Sequence, residues 1–160
     1  MSKGTFVLVF AFALLGCGGG ADTPKAHNSP SAAPKTAVKP ADESVRFPGK
    51  NRVDVKVLDD HLLGKEFLPG GNLATYRKGN KEYQLFLIKA QNASEPALWL
   101  LDLKKQMVGA KLVAGFGGYF GQDGGKPLFA FTKNRYLAGV VGLPESEADA
   151  VSREFAVRIP

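Results

Sequence analysis

The chain has one cysteine, Cys17, so no disulfide can form within it and its stability has to come from a packed core. Histidine is nearly as scarce, with only His27 and His61. A zinc site needs three or four converging ligands, and one histidine in the folded part with no further cysteine does not supply them. No apolar run is long enough to cross a bilayer. Phe6–Leu15 stops well short of the roughly 20 residues a spanning helix needs, and no basic stop-transfer cluster follows it. No Gly-x-Ser-x-Gly elbow occurs, and the carboxylates are scattered rather than paired at a spacing suited to acid/base work. These absences disfavour catalysis and imply neither cofactor nor metal.

Nucleotide-binding loops are also missing. The glycine-rich stretch Gly115–Lys126 invites a comparison, but G-x-x-x-x-G-K-[ST] would need glycine at Phe120 and a hydroxyl residue at Pro127. G-x-G-x-x-G read from Gly115 again requires glycine at Phe120. Both motifs fail.

What is present begins at the N-terminus. Lys3 and the amino group make a short positive region, followed by apolar Phe6–Leu15 and then Leu14-Leu15-Gly16-Cys17. This layout reads as a secretory signal, and its end resembles the lipobox of bacterial lipoproteins. The resemblance covers residues 1–17. It implies diacylglyceryl transfer to the Cys17 thiol, cleavage after Gly16 (signal peptide 1–16) and acylation, palmitate among the chains, of the new amino group. One acyl chain holds only marginally, so a multiply acylated cysteine suits a stable anchor. It also removes the oddity of an unpaired cysteine in an exported chain. The ordinary alternative is a cleaved signal peptide beside an accidental cysteine. Gly18 in place of Asp implies the outer membrane over the inner, facing the periplasm.

Residues 17–44 read as the lipidated cysteine and a tether. Gly18–Ser44 holds Pro24, Pro30, Pro34 and Pro40, no aromatic residue, and Val38 as its only large aliphatic one. Such a segment cannot bury enough apolar surface to offset its ordering entropy, and about 27 residues of it would span roughly 30 Å.

Residues 45–160 read as one globular α+β domain, with most of the eleven phenylalanines available to its core. The formal charge is +6, one unit of which is Lys3, and three lysines balance three acids in the tether. The remaining +5 therefore belongs to the domain. A basic surface can bind nucleic acid, but an exported, membrane-held domain meets anionic lipid head groups or envelope polymers instead. An ordinary solvated surface is the better explanation of this charge on its own.

Within the domain, Val53–Val57 alternates as a half-buried strand, and Asp59–Gly64 and Pro69–Asn72 read as turns. Leu73–Arg77 and Tyr83–Ala90 suit a hairpin around Lys78–Lys81. Asn92 or Ser94 can cap a helix whose apolar positions include Ala97, Leu98, Trp99, Leu100, Leu101, Leu103, Met107 and Val108, with Gly109 as its stop. Such a helix should be covered on most of its surface. Asn92-Ala93-Ser94 is also a glycosylation sequon, for which capping is the better explanation in a bacterial chain.

Leu112–Gly121, Pro127–Thr132 and Tyr136–Gly142 supply three more strands, with Asp123-Gly124 as a hairpin turn. A last helix starts near Pro144, with Ala148, Val151 and Phe155 on one face. The expected architecture is roughly six strands in a mainly antiparallel sheet, both helices on one face, built as a strand-strand-strand-helix pseudo-repeat.

The candidate contact residues are Phe116, Tyr119 and Phe120, where glycines let backbone approach a partner and the rings offer stacking surface. The competing reading is a strand with a glycine bulge feeding a tight hairpin. His61, between Asp59-Asp60 and Gly64, reads as a turn residue, and as a general base only under a hydrolase reading. The expected function is a non-catalytic, lipid-anchored envelope domain that contacts another protein or an anionic polymer. A periplasmic small-molecule carrier is the alternative, and a hydrolase using His61 stands behind both.

Overall fold

The computed structural model describes residues 39–160. The signal-like stretch, Cys17 and the tether up to residue 38 lie outside the described residues.

Seven strands form one open antiparallel sheet: β1 (Arg52–Asp60), β2 (Pro69–Lys78), β3 (Lys81–Lys89), β4 (Val108–Val113), β5 (Gly118–Asp123), β6 (Lys126–Lys133) and β7 (Tyr136–Val141). Across the sheet their order is β1-β2-β3-β7-β6-β5-β4. Two-residue turns close three of the hairpins. Gly79-Asn80 joins β2 to β3, Gly124-Gly125 joins β5 to β6, and Asn134-Arg135 joins β6 to β7. Gly124 (φ 55°) and Gly125 (φ 78°) both adopt the left-handed conformation that the right-handed twist of paired strands demands of such a turn.

Helix α1 (Glu95–Gln106) carries the chain from β3 to β4 at the far edge, and the β4–β7 meander then returns until β7 docks against β3. Helix α2 (Glu145–Arg158) ends the fold.

The central strands are apolar on both faces, so each face needs a cover. Leu100 and Leu103 of α1 pack with Phe86, Ile88, Leu128, Ala130 and Leu137. Ala148 and Phe155 of α2 pack with Leu85, Leu87, Phe129, Phe131 and Val140. Neighbours along a strand point to opposite sides, so α1 and α2 lie on opposite faces, not on one as the sequence reading had it. Each buried Phe or Leu contributes about 1.5–3 kcal/mol, which makes this three-layer core the main source of stability.

The stretch Leu112–Gly121 is two strands rather than one, because the chain reverses through Ala114–Gly117. The amides of Phe116 and Gly117 both donate to the Val113 carbonyl there, and Gly117 has φ 75°. The sheet accordingly has seven strands instead of six. The expected strand-strand-strand-helix repeat is not matched in full, since β4 is an additional strand in the second half and the two helices lie on opposite faces. A duplication within one antiparallel sheet would also relate its halves by a two-fold normal to the sheet, leaving both helices on the same face.

Gly109 is not the stop of α1. Met107 is already extended, and Gly109 (φ 66°) sits at a register shift inside β4. Leu98 and Leu101 are exposed, so α1 is covered on one side only. Pro69–Asn72 belongs to β2. A Cβ at Gly70 would lie 2.3 Å from the carbonyl oxygens of Leu58 and Asp59, and that close approach is what the glycine permits.

Candidate functional site

The three candidate aromatics do not form one patch. Phe116 is half-buried, standing edge-on to Phe131 (4.5 Å between centroids) and Phe129 (5.4 Å) on the α2 face, with the Arg153 guanidinium 5.2 Å above its ring. Phe120 joins the same layer. Tyr119 points the other way, into the α1 layer, where Lys104 Nζ lies 4.8 Å from its ring. Alternation along β5 divides Tyr119 from Phe120, so a partner touching one cannot stack on the other.

His61 occupies an exposed turn at φ 46°, its Nδ1 3.6 Å from the Asp60 carboxylate. Among the described residues no three His, Cys, Asp or Glu side chains converge in a way that could hold a metal ion.

The structure instead gathers charge where β3 ends and β7 begins. It starts with Asn72, buried in β2. Its Oδ1 accepts the Glu43 N–H at 3.0 Å, and its Nδ2 donates to the Ala41 carbonyl at 2.9 Å. Ala41–Ser44, read as tether from composition, are thereby tied onto the sheet. The Glu43 side chain turns inward and is only 6 % exposed. Its carboxylate accepts from Lys89 Nζ at 2.7 Å and from Arg46 Nε.

Burial alone would favour the protonated acid, yet the hydrogen bonds and charges of Lys89 and Arg46 hold Glu43 below the usual carboxylate range. In return, hydrogen bonding to Glu43 raises both Lys89 and Arg46. The two cations flank the Tyr136 ring, Arg46 Cζ at 5.5 Å and Lys89 Nζ at 6.0 Å from its centroid.

Tyr136 also lines a shallow open groove with Gln91, Asn92, Asn134 and Arg135. Its two walls are the β3–α1 connection and the β6–β7 turn, joined by the Ala90 N–H donating to the Arg135 carbonyl at 2.8 Å. The first wall is fixed locally. Asn92 Oδ1 accepts the N–H groups of Ser94 and Glu95, capping α1, while Glu95 Oε2 accepts from the Gln91 N–H. The second is fixed by Asn134 Nδ2, which donates to the Pro160 carbonyl at 2.7 Å. Among the described residues no carboxylate lies within ion-pair distance of Arg135.

Amide side chains beside an arginine, with two further cations around the adjoining tyrosine, suit the oxygens of a carboxylate or phosphate. None of Glu43, Arg46, Lys89, Arg135 or Tyr136 stood out in the sequence. Their only signal was an acidic pair, Asp42-Glu43, closing a proline-rich segment just before Phe47-Pro48. No protein-family model, curated protein or solved structure matches the chain, so its functional reading rests on this geometry.

Proposed function

We propose that the chain is a bacterial envelope lipoprotein, acylated at Cys17, whose domain binds an anionic group of an envelope protein or polymer without catalysing a reaction. No helix among the described residues is long and apolar enough to cross a membrane, so attachment in this reading rests on the lipid at Cys17. The outer membrane is favoured over the inner.

The observation that carries the binding reading is the placement of Arg46 and Lys89 against the Tyr136 ring, both paired with the one carboxylate of Glu43, beside a groove lined by Arg135. Glu43 takes its hydrogen bonds from Lys89 and Arg46, and Arg135 lines the groove with no ion-pair partner among the described residues. The carrier reading is weaker because the layers between sheet and helices are filled by Phe86, Phe129, Phe131 and Phe155, all fully buried.

The test is in-cell crosslinking of the full lipoprotein followed by mass spectrometry, with Arg135→Glu beside Tyr119→Ala/Phe120→Ala. A partner captured by the wild type, kept by the aromatic variant and lost with Arg135→Glu supports the groove. Retention of the partner by Arg135→Glu overturns it. Metabolic labelling with palmitate, lost in Cys17→Ser, tests the anchor independently.

A further inference from the structure

The two edges of the sheet are built differently. At one end β4 spans only Val108–Val113, is interrupted by the register shift at Gly109, and has Lys111 engaged by Glu145 of α2 at 2.6 Å. At the other end β1 runs for nine residues, Arg52–Asp60, with β2 as its only strand partner among the described residues. Its sole irregularity lies between Arg52 and Asp54, and from Asp54 to Asp60 the ladder is regular. The helices pack over β5, β6 and β7, so β1 stands beyond their cover. Val57 is 37 % exposed and Val53 56 %. A long, regular, unpaired edge is a template for another strand.

Charge selects which strand. In an antiparallel pair, residues directly opposite both turn their N–H and C=O groups toward the partner strand or both away from it. Two identical β1 strands therefore meet only in registers whose two-fold passes through a residue. Centred on Asp54 or Lys56, the pairing sets like charge against like. Centred on Val57, it sets Asp54 against Asp60. Centred on Leu58, it matches Lys56 with Asp60 but opposes Val57 to Asp59. Centred on Val55, it places Asp54 opposite Lys56 twice, Val55 against itself, Val53 against Val57 and Arg52 against Leu58, with seven residues of β1 paired and no like charges opposite one another. The two side chains are well exposed and already sit on the same face, 3.8 Å apart within the strand.

We propose that β1 is a self-association edge: two copies of the chain pair antiparallel through β1, two-fold at Val55, merging their sheets into one. The isologous contact is closed, since each copy uses the same stretch of its β1 edge, Arg52–Leu58.

The test uses the full chain carrying Cys17→Ser, so that any introduced thiol is the only one. Sedimentation should show a dimer. Asp54→Lys and Lys56→Asp, each confirmed folded by circular dichroism, should each weaken association at least about tenfold by setting like charges opposite. The double swap Asp54→Lys/Lys56→Asp should restore it. Under mild oxidation Val55→Cys should give a disulfide-linked dimer, and Leu58→Cys should not. A monomeric chain, single variants that dimerise as well as the parent, or crosslinking through Leu58→Cys in place of Val55→Cys would each overturn the proposal. So would a chain that dimerises only after residues 18–38 are deleted, because the edge would then belong to that segment.

Discussion

The ring of Phe86 in β3 lies over Gly139, its cross-strand neighbour in β7. A methyl group on Gly139 would fall 2.5 Å from Phe86 Cε1 and 2.2 Å from the Phe129 carbonyl oxygen of the strand on the other side. The centre of the sheet is therefore assembled around the absence of one side chain, and Phe86 reaches full burial because of it.

Gly139→Ala should destabilise the domain by about 2 kcal/mol or more, since the clash involves backbone as well as ring. Urea denaturation measures it. Adding Phe86→Leu should recover only part of the loss, because the Phe129 oxygen remains. Full recovery would show that the ring alone forbids the methyl group.

Glu43 should govern acid stability. Its folded pKa is depressed, so its contribution is complete above the ordinary carboxylate range and is lost as pH falls through the depressed value. Glu43→Gln should cost about 1–2 kcal/mol at neutral pH, less than a fully buried pair because Lys89 and Arg46 are partly solvated. The difference from wild type should shrink between neutral pH and an acid pH below that depressed value, where the carboxyl is protonated. Denaturation curves at the two pH values check it, and a constant difference would assign the effect to packing.

Asn72 should decide whether the N-terminal segment stays docked. Asn72→Ala removes the acceptor for the Glu43 N–H and the donor to Ala41, costing about 1–3 kcal/mol. Amide exchange should accelerate at Glu43 and at Arg46, whose N–H donates to the Glu43 carbonyl. Exchange at Leu85 and Val140 should change much less.

Ser152 is a case where removal should help. Its hydroxyl is buried in α2 against the sheet without a hydrogen-bond partner among the described residues. Ser152→Ala deletes an unsatisfied polar atom and improves helix propensity, so it should stabilise by about 0.5–1 kcal/mol. A melting temperature that falls would reveal a partner for the hydroxyl.

The local punctuation of this fold is legible in its residues. Asn92 announces the start of α1, while Gly79-Asn80, Gly124-Gly125 and Asn134 mark hairpins at the places they occupy. The Phe116 to Gly121 stretch misleads because glycine serves strand, bulge and turn alike, and only the φ of Gly117 tells them apart. Val108 continued the apolar pattern of α1 although it belongs to an exposed edge strand. Leu85-Phe86-Leu87-Ile88 carried the information that both sheet faces are covered, since a one-sided sheet would alternate. The Glu43 cluster was illegible for a different reason. Its three parts, Glu43 with Arg46, Lys89, and Arg135 with Tyr136, are separated by long stretches of chain, and only the order of strands brings them together.

That order also fixes a sequence of events in synthesis. The slot between β3 and β6 is filled by β7, Tyr136–Val141, almost the last segment of the described chain to leave the ribosome. Until it arrives, β1–β3 and β4–β6 are two small meanders with apolar inner edges and no partner for either. The protein cannot mature progressively from its N-terminus. Its sheet closes in a single late step, and a transcript ended before residue 136 yields a chain with its two stickiest strands bare.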